Sequence, residues 1–199
     1  MKSQKLASRA RVAALAAASA LALLAACGGG GGGGDAAVTP VTLGPAQLAV
    51  LYAEGDALSE SIARAYVAAR GVPEANLVRV PVDVSADQIT ADAFTAVKAA
   101  VDARVPAGTQ ALLVTWTRPS RVAGSCAMSL TSALAFGFDA RWCANSCLTT
   151  ATSAFYDSAS HRPFTELALR PAMMLGASTL AEARTLIARG KAADGSLAS

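Results

Sequence analysis

Three cysteines and a single histidine are the first residues to weigh for chemistry. Cys126, Cys143 and Cys147 fall within one stretch of the chain, and His161 follows them. A cysteine nucleophile needs an imidazole within hydrogen-bond reach of its thiolate. In an oxidising compartment two of three such cysteines pair as a disulfide. Cys143 and Cys147 sit four apart and Cys126 can reach either, so the pairing stays open. Structural zinc favours CxxC-like pairs, and the spacing of Cys143 and Cys147 is looser than that. Asp157, Ser158 and His161 have the residue types of a hydrolytic triad. Neighbours in sequence rarely form one, and no nucleophile elbow is present. On this reading His161 is a loop residue, and neither a metal site nor a cofactor is expected.

A second set is polar and charged. Glu54, Asp56 and Ser59 follow one apolar run, and Thr115, Thr117, Arg118 and Arg121 follow or end another. Ligands of open parallel sheets bind outside the carboxyl ends of the strands. If the two runs are neighbouring strands, these carboxylates, hydroxyls and guanidiniums surround one ligand site. The bland alternative is that Asp56 and Ser59 cap a helix. The arginines then form surface pairs worth under about 1 kcal/mol. Trp116 reads as core or crevice wall.

The elements that must position these groups follow from hydrophobic patterning. Leu48-Ala49-Val50-Leu51-Tyr52 is a nearly continuous apolar run, as in a strand buried on both faces. Asp56 can cap a helix with Leu58, Ile62, Ala65, Tyr66 and Ala69 on its inner stripe, ended by Gly71 and Pro73. Leu77–Val80 is a second strand. Thr90 opens a helix with Phe94, Val97 and Val101 inward, and Ala111–Trp116 is a third strand. Residues 120–165 read as an irregular insertion, with a short helix over Leu130–Phe138. Ala172–Gly176 is a fourth strand. Thr179-Leu180-Ala181-Glu182 is a capping box. It starts a helix with Leu180, Ala183, Leu186 and Ile187 inward. The sum is an α/β fold: a Rossmann-like parallel sheet, βαβαβ, then the insertion, then βα, in three layers.

The first residues read as an address. Lys2, Lys5, Arg9 and Arg11 precede an apolar run from Val12 to Ala26, too short at 15 residues to span a bilayer. Leu24-Ala25-Ala26-Cys27 resembles the lipobox of bacterial lipoproteins. That resemblance implies cleavage before Cys27 and fatty-acyl chains, palmitate among them, attached there. Several such chains make a firm anchor. Gly28–Gly34 then reads as a leash. No strand precedes this glycine run and no Gly-Lys-Ser/Thr follows, so it is no phosphate loop. The expected organisation is 1–26 signal, 27–46 lipidated cysteine and glycine-rich linker, and 47–199 one α/β domain.

Composition sets outer limits. Of 199 residues 53% are hydrophobic, 5% aromatic and 16% charged, which excludes a disordered chain. Alanine is frequent, so much of the apolar content is small. The total of 17 basic residues falls to 13 once the four of the signal are removed, against 14 acidic ones. Such a balance has no basic footprint for nucleic acid.

From Gln47 to Gly195 the order of features resembles a family of exported bacterial α/β proteins of unknown function. The carrying residues are Val50-Leu51-Tyr52, Ser59, Ile62-Ala63, Tyr66 and Arg70-Gly71-Val72-Pro73. They continue with Ile89-Thr90, Phe94, Thr115, Pro119, Arg121-Val122 and Met173-Met174-Leu175. Ala183, Leu186-Ile187, Arg189-Gly190 and Ala193-Asp194-Gly195 complete them. The resemblance implies an α/β domain and export, and it carries over no catalytic residue. An α/β unit continues into another strand after such a last helix, so the chain is expected to be incomplete at its C-terminus.

The functional expectation is a protein of the cell envelope, exported and held to a membrane by its lipid. It acts as a binding or interaction module for a small molecule or a protein partner, with Glu54, Asp56, Ser59, Thr117, Arg118 and Arg121 as ligand-binding residues. A cysteine-peptidase-like hydrolase of caspase-like or gingipain-like build is the alternative. Those enzymes place the histidine before the cysteine, and here it comes after. A structural envelope lipoprotein is the third reading.

Overall fold

The structure, a computed structural model, describes residues 43–143 and 149–196. The signal, Cys27, the glycine run and Cys147 lie outside the described residues. Regular structure begins with a 3-10 turn at Pro45–Gln47, just ahead of the expected start at Gln47.

Two apolar runs make the centre. β1 (Leu48–Ala53) and β4 (Ala111–Val114) are buried on both faces, which is why neither alternates polar with apolar. They run parallel and adjacent, with Leu48 opposite Ala111 and Leu51 opposite Val114. β2 (Leu77–Val80) flanks β1 and β7 (Ala172–Met174) flanks β4, so the parallel sheet has the order β2-β1-β4-β7. The chain steps outward from β1 to β2, then returns across β1 to β4 and β7. The strand order therefore reverses between β1 and β4.

Helices cover both faces. α1 (Ala57–Arg70) joins β1 to β2, and α2 (Ala91–Arg104) leads into β4. α3 (Leu130–Phe136) and the short α4 (Pro163–Leu167) lie between β4 and β7, and α5 (Leu180–Ala192) follows β7. Val50 and Leu113 turn to the face covered by α1, where they pack with Ala63 and Val67. Leu51, Leu112 and Val114 turn to the other face, against Phe94, Val97 and Val101 of α2 and Leu130 and Leu134 of α3. α5 reaches the first face through Ala183, packed with Ile62 and Ala177. The result is a three-layer Rossmann-like α/β fold. Truncating a fully buried leucine such as Leu51 costs about 2–5 kcal/mol in such a core.

The helix starts follow from local chemistry. The Asp56 carboxylate accepts from the Leu58 N–H at 3.1 Å, Thr90 from Ala93 at 3.2 Å, and Ser129 from Ser132 at 3.0 Å. α1 stops at Gly71, whose φ of 66° suits glycine. At α5 the Thr179 hydroxyl accepts from Glu182 N–H at 3.2 Å, but Glu182 accepts in return from Ser178, one residue earlier than a capping box requires.

Three expectations need correction. The inner residues of α1 are Ser59, Ile62, Ala63 and Val67, so the buried stripe is rotated from the one expected and Ala65 and Ala69 lie at its margin. α5 buries Ala183 and Ile187 and leaves Leu186 41% exposed, because it crosses α1 on one flank only. Residues 120–165 are less irregular than their composition suggests. β5 (Arg121–Ala123) and β6 (Ala127–Ser129) form a hairpin, and β3 (Gln88–Thr90) joins β5 in parallel to complete a second sheet, β3-β5-β6. Each of these strands has three residues and one inward side chain: Ile89, Val122 and Met128. Such strands are too short to show a period of two. Gly124 in the turn between Val122 and Met128 is the one signal that could have found the hairpin.

Candidate functional site

The reversal between β1 and β4 is the switch point of a doubly wound sheet, and the crevice outside its carboxyl end is where such folds take ligands. The residues there come from two loops. The first is Glu54-Gly55-Asp56, turned by Gly55 at a φ of 82°. The second is Thr115-Trp116-Thr117-Arg118, which leaves β4 and reaches Pro119 through a cis peptide bond.

The carboxyl end of β1 and β4 is tied by two hydroxyls. The Ser59 hydroxyl is buried, accepts from Ala53 N–H at 2.9 Å and donates to Asp56 O at 3.3 Å. The Thr115 hydroxyl lies 2.9 Å from the carbonyl oxygens of both Leu51 and Ser59 and shares its proton between them. Thr115 N–H also donates to Leu51 O at 3.1 Å, extending the β1–β4 ladder by one rung. Ser59 is thus a buried tie between β1 and α1, and Asp56 caps α1. Trp116 is 2% exposed and belongs to the core, and its indole N–H has no partner among the described residues.

The rim is charged and exposed. Glu54 pairs with Arg79 of β2 at 3.6 Å, and Arg118 pairs with Asp87 at 3.6 Å. Thr117 lies beside Gly176, past the end of β7, where a Cβ would sit 3.6 Å from the Thr117 methyl group. Arg121 opens β5 opposite Ser129, on the second sheet. Glu54 and Asp56 thus follow the carboxyl end of β1, and Thr117 and Arg118 follow that of β4. The structure buries Ser59 and carries Arg121 onto the neighbouring sheet. Arg79 and Asp87 are rim residues that sequence reasoning missed. The signal for Arg79 was a lone charge at the carboxyl end of an otherwise apolar strand.

A second polar cluster lies at the amino end of the sheet. Gln110 is buried and accepts from the N–H groups of Phe164 and Thr165 at 3.1 and 3.2 Å, and its amide donates to Gly108 O and Thr165 Oγ1. Arg170 is buried too, donates to Thr109 O at 3.2 Å, and holds its guanidinium 3.5 Å from the centre of the Phe164 ring. Burial lowers the Arg170 pKa below the ordinary arginine value, with Asp102 opposing. The Gln110 side chain is satisfied from within and holds α4 in place, while the Thr109 hydroxyl beside it is buried with no partner among the described residues.

Cys126 and Cys143 lie at disulfide distance, with Cα atoms 6.0 Å apart. That bond removes two of the three thiols from any nucleophilic role. It fastens the tip of the β5–β6 hairpin to the turn at Ala140–Trp142. Cys147 is outside the described residues, and His161 is exposed. Among the described residues no three His, Cys, Asp or Glu side chains cluster as a metal ion requires.

Fold and switch point together define a parallel α/β domain of Rossmann-like build. Comparison with protein-family models, with curated proteins and with solved structures finds no match to this chain.

Proposed function

We propose that the protein is an exported, lipid-anchored binding module whose ligand or partner sits at the carboxyl end of β1 and β4. The observation that carries the reading is the adjacency of these two strands at the point where the strand order reverses. Around it stand Glu54 with Arg79 and Arg118 with Asp87, acids and bases at matched separations. A rim of both signs suits a ligand that itself carries both, such as a peptide segment or a zwitterionic small molecule. The anchor rests on Leu24-Ala25-Ala26-Cys27, and the Cys126–Cys143 pair agrees with an oxidising compartment.

The test is a thermal-shift screen of the mature protein with short charged peptides and zwitterionic metabolites. A ligand that raises the melting temperature of the native chain and not that of Arg118→Ala supports the reading. A ligand whose shift survives in both Arg118→Ala and Glu54→Ala places binding elsewhere and contradicts it.

A further inference from the structure

α5 has too few partners for a helix of its length. It buries Ala183 and Ile187, and the rest of its surface faces outward. On the flank beside α1 that surface is small and cationic. Arg184, Ala188 and Lys191 lie along the groove shared with α1, opposite Ala65, Ala68 and Ala69. Arg189 lies on the opposite flank of the helix, with Glu182, Thr185 and the exposed Leu186. The basic residues of α1 are already engaged: Arg64 with Glu60 and Glu74, and Arg70 with Asp194. Arg184, Arg189 and Lys191 form no ion pair among the described residues, whose ion pairs all lie elsewhere. Arg189 and Lys191 also complement the carboxyl end of the helix dipole. Arg184, in the middle of the helix, has no such role.

The tether joins the fold at the same end. Leu43, the first described residue, lines a cavity of about 530 Å³ together with Arg70, Met173, Asp194 and Gly195, where α5 ends. Residues 28–42 separate Cys27 from Leu43, and a chain of that length reaches at most about 55 Å when fully extended. An acyl group on Cys27 therefore keeps the end of α5 within that distance of the bilayer.

We propose that the face shared by α1 and α5 docks on an anionic phospholipid surface, with Arg184 and Lys191 at the headgroups. Small alanines let the cations approach the surface without a bulky screen. Each Lys or Arg near an anionic leaflet adds about 1 kcal/mol, or roughly fivefold in affinity. Docking would fix the orientation of the domain above the membrane. The proposal rests on the lipid-anchor reading, and the experiment separates the two.

The lipidated full chain is mixed with vesicles of neutral phosphatidylcholine, or of phosphatidylcholine with phosphatidylglycerol, and floated. Hydrogen exchange is then measured on the floated protein. The anchor predicts flotation with both vesicles. Docking predicts slower exchange over 180–192 with the anionic vesicles alone, lost in 1 M salt and in Arg184→Gln/Lys191→Gln. Flotation with both and unchanged exchange over α5 overturns docking and leaves the anchor standing. Flotation with anionic vesicles alone overturns the anchor and leaves docking standing. Flotation with neither overturns both. Equal protection on both vesicles, or protection that grows with protein concentration in their absence, shows an apolar contact or a second copy in place of an anionic surface, and overturns docking.

Discussion

The hydroxyl of Thr115, just past the end of β4, lies 2.9 Å from the carbonyl oxygen of Ser59 in the first turn of α1. The same hydroxyl is 2.9 Å from Leu51 O in β1. One side chain thereby joins the helix and both strands of the switch point. The carboxyl end of β1 and β4 is thus tied by buried hydrogen bonds, with exposed charged side chains beyond it.

Thr115→Val keeps the shape and removes the donor. Leu51 O keeps the Thr115 N–H, so unfolding in urea should show the net loss of a hydrogen bond, about 0.5–1.5 kcal/mol. A change below about 0.5 kcal/mol would mean that the hydroxyl holds nothing.

The rim should behave in the opposite way. Arg118 and Asp87 are exposed, and such pairs contribute under about 1 kcal/mol. Arg118→Ala should therefore melt close to the native chain. A large drop would recast Arg118 as a structural residue and remove it from the binding face.

Gln110 offers a contrast at the amino end. Gln110→Leu preserves volume but leaves the N–H groups of Phe164 and Thr165 without their acceptor. A loss of about 2–4 kcal/mol is expected, with amide exchange over 163–167 faster than in the native chain. Unchanged exchange there would contradict the role given to Gln110.

Reducing the Cys126–Cys143 pair opens a loop with a sequence separation of 17. Loop-closure entropy puts the cost at about 3 kcal/mol. Cys126→Ser in denaturant titration should show a loss of that order, with the second sheet opening before the parallel sheet by amide exchange. Uniform loss across both sheets would mean that the bond serves the whole fold.

Asp139 gives a pH dependence with a definite sign. Hydrogen bonds from the Arg141 side chain, then its backbone, lower the Asp139 pKa below the usual aspartate value. The stabilisation it brings to the Ala140–Trp142 turn is present above the ordinary aspartate pKa of about 3.9 and is lost as pH falls through the lower folded value. The Arg141 amide donates to Asp139 Oδ1 at 2.8 Å, so its proton shift should titrate with a midpoint below 3.9. A midpoint at or above that value would contradict the pairing.

The sheet and its helices were legible because each rule acts locally. Val50 and Leu113 sit in continuous apolar runs, and Asp56, Thr90 and Thr179 stand where caps belong. Ser59 was legible as a helix residue, yet its burial depends on Ala53 N–H and on Thr115, 56 residues away. Leu186 looked inward by spacing, but its exposure follows from which flank of α5 meets α1. The hairpin of β5 and β6 was hidden by strands with one inward residue each. Glu54 and Arg118 were visible as charges at strand ends. Their partners Arg79 and Asp87 were not, since only the parallel register brings Arg79 level with β1.

The most direct measurement is site-specific photocrosslinking in intact cell envelopes, with the probe at position 118 on the rim or at position 107. Ala107 is exposed in the turn before β4, at the opposite end of the sheet. The account predicts one discrete adduct from position 118, weakened by Glu54→Ala, and none from position 107. Adducts from position 107 alone, or equal labelling from both, would contradict a binding face at the carboxyl end of β1 and β4.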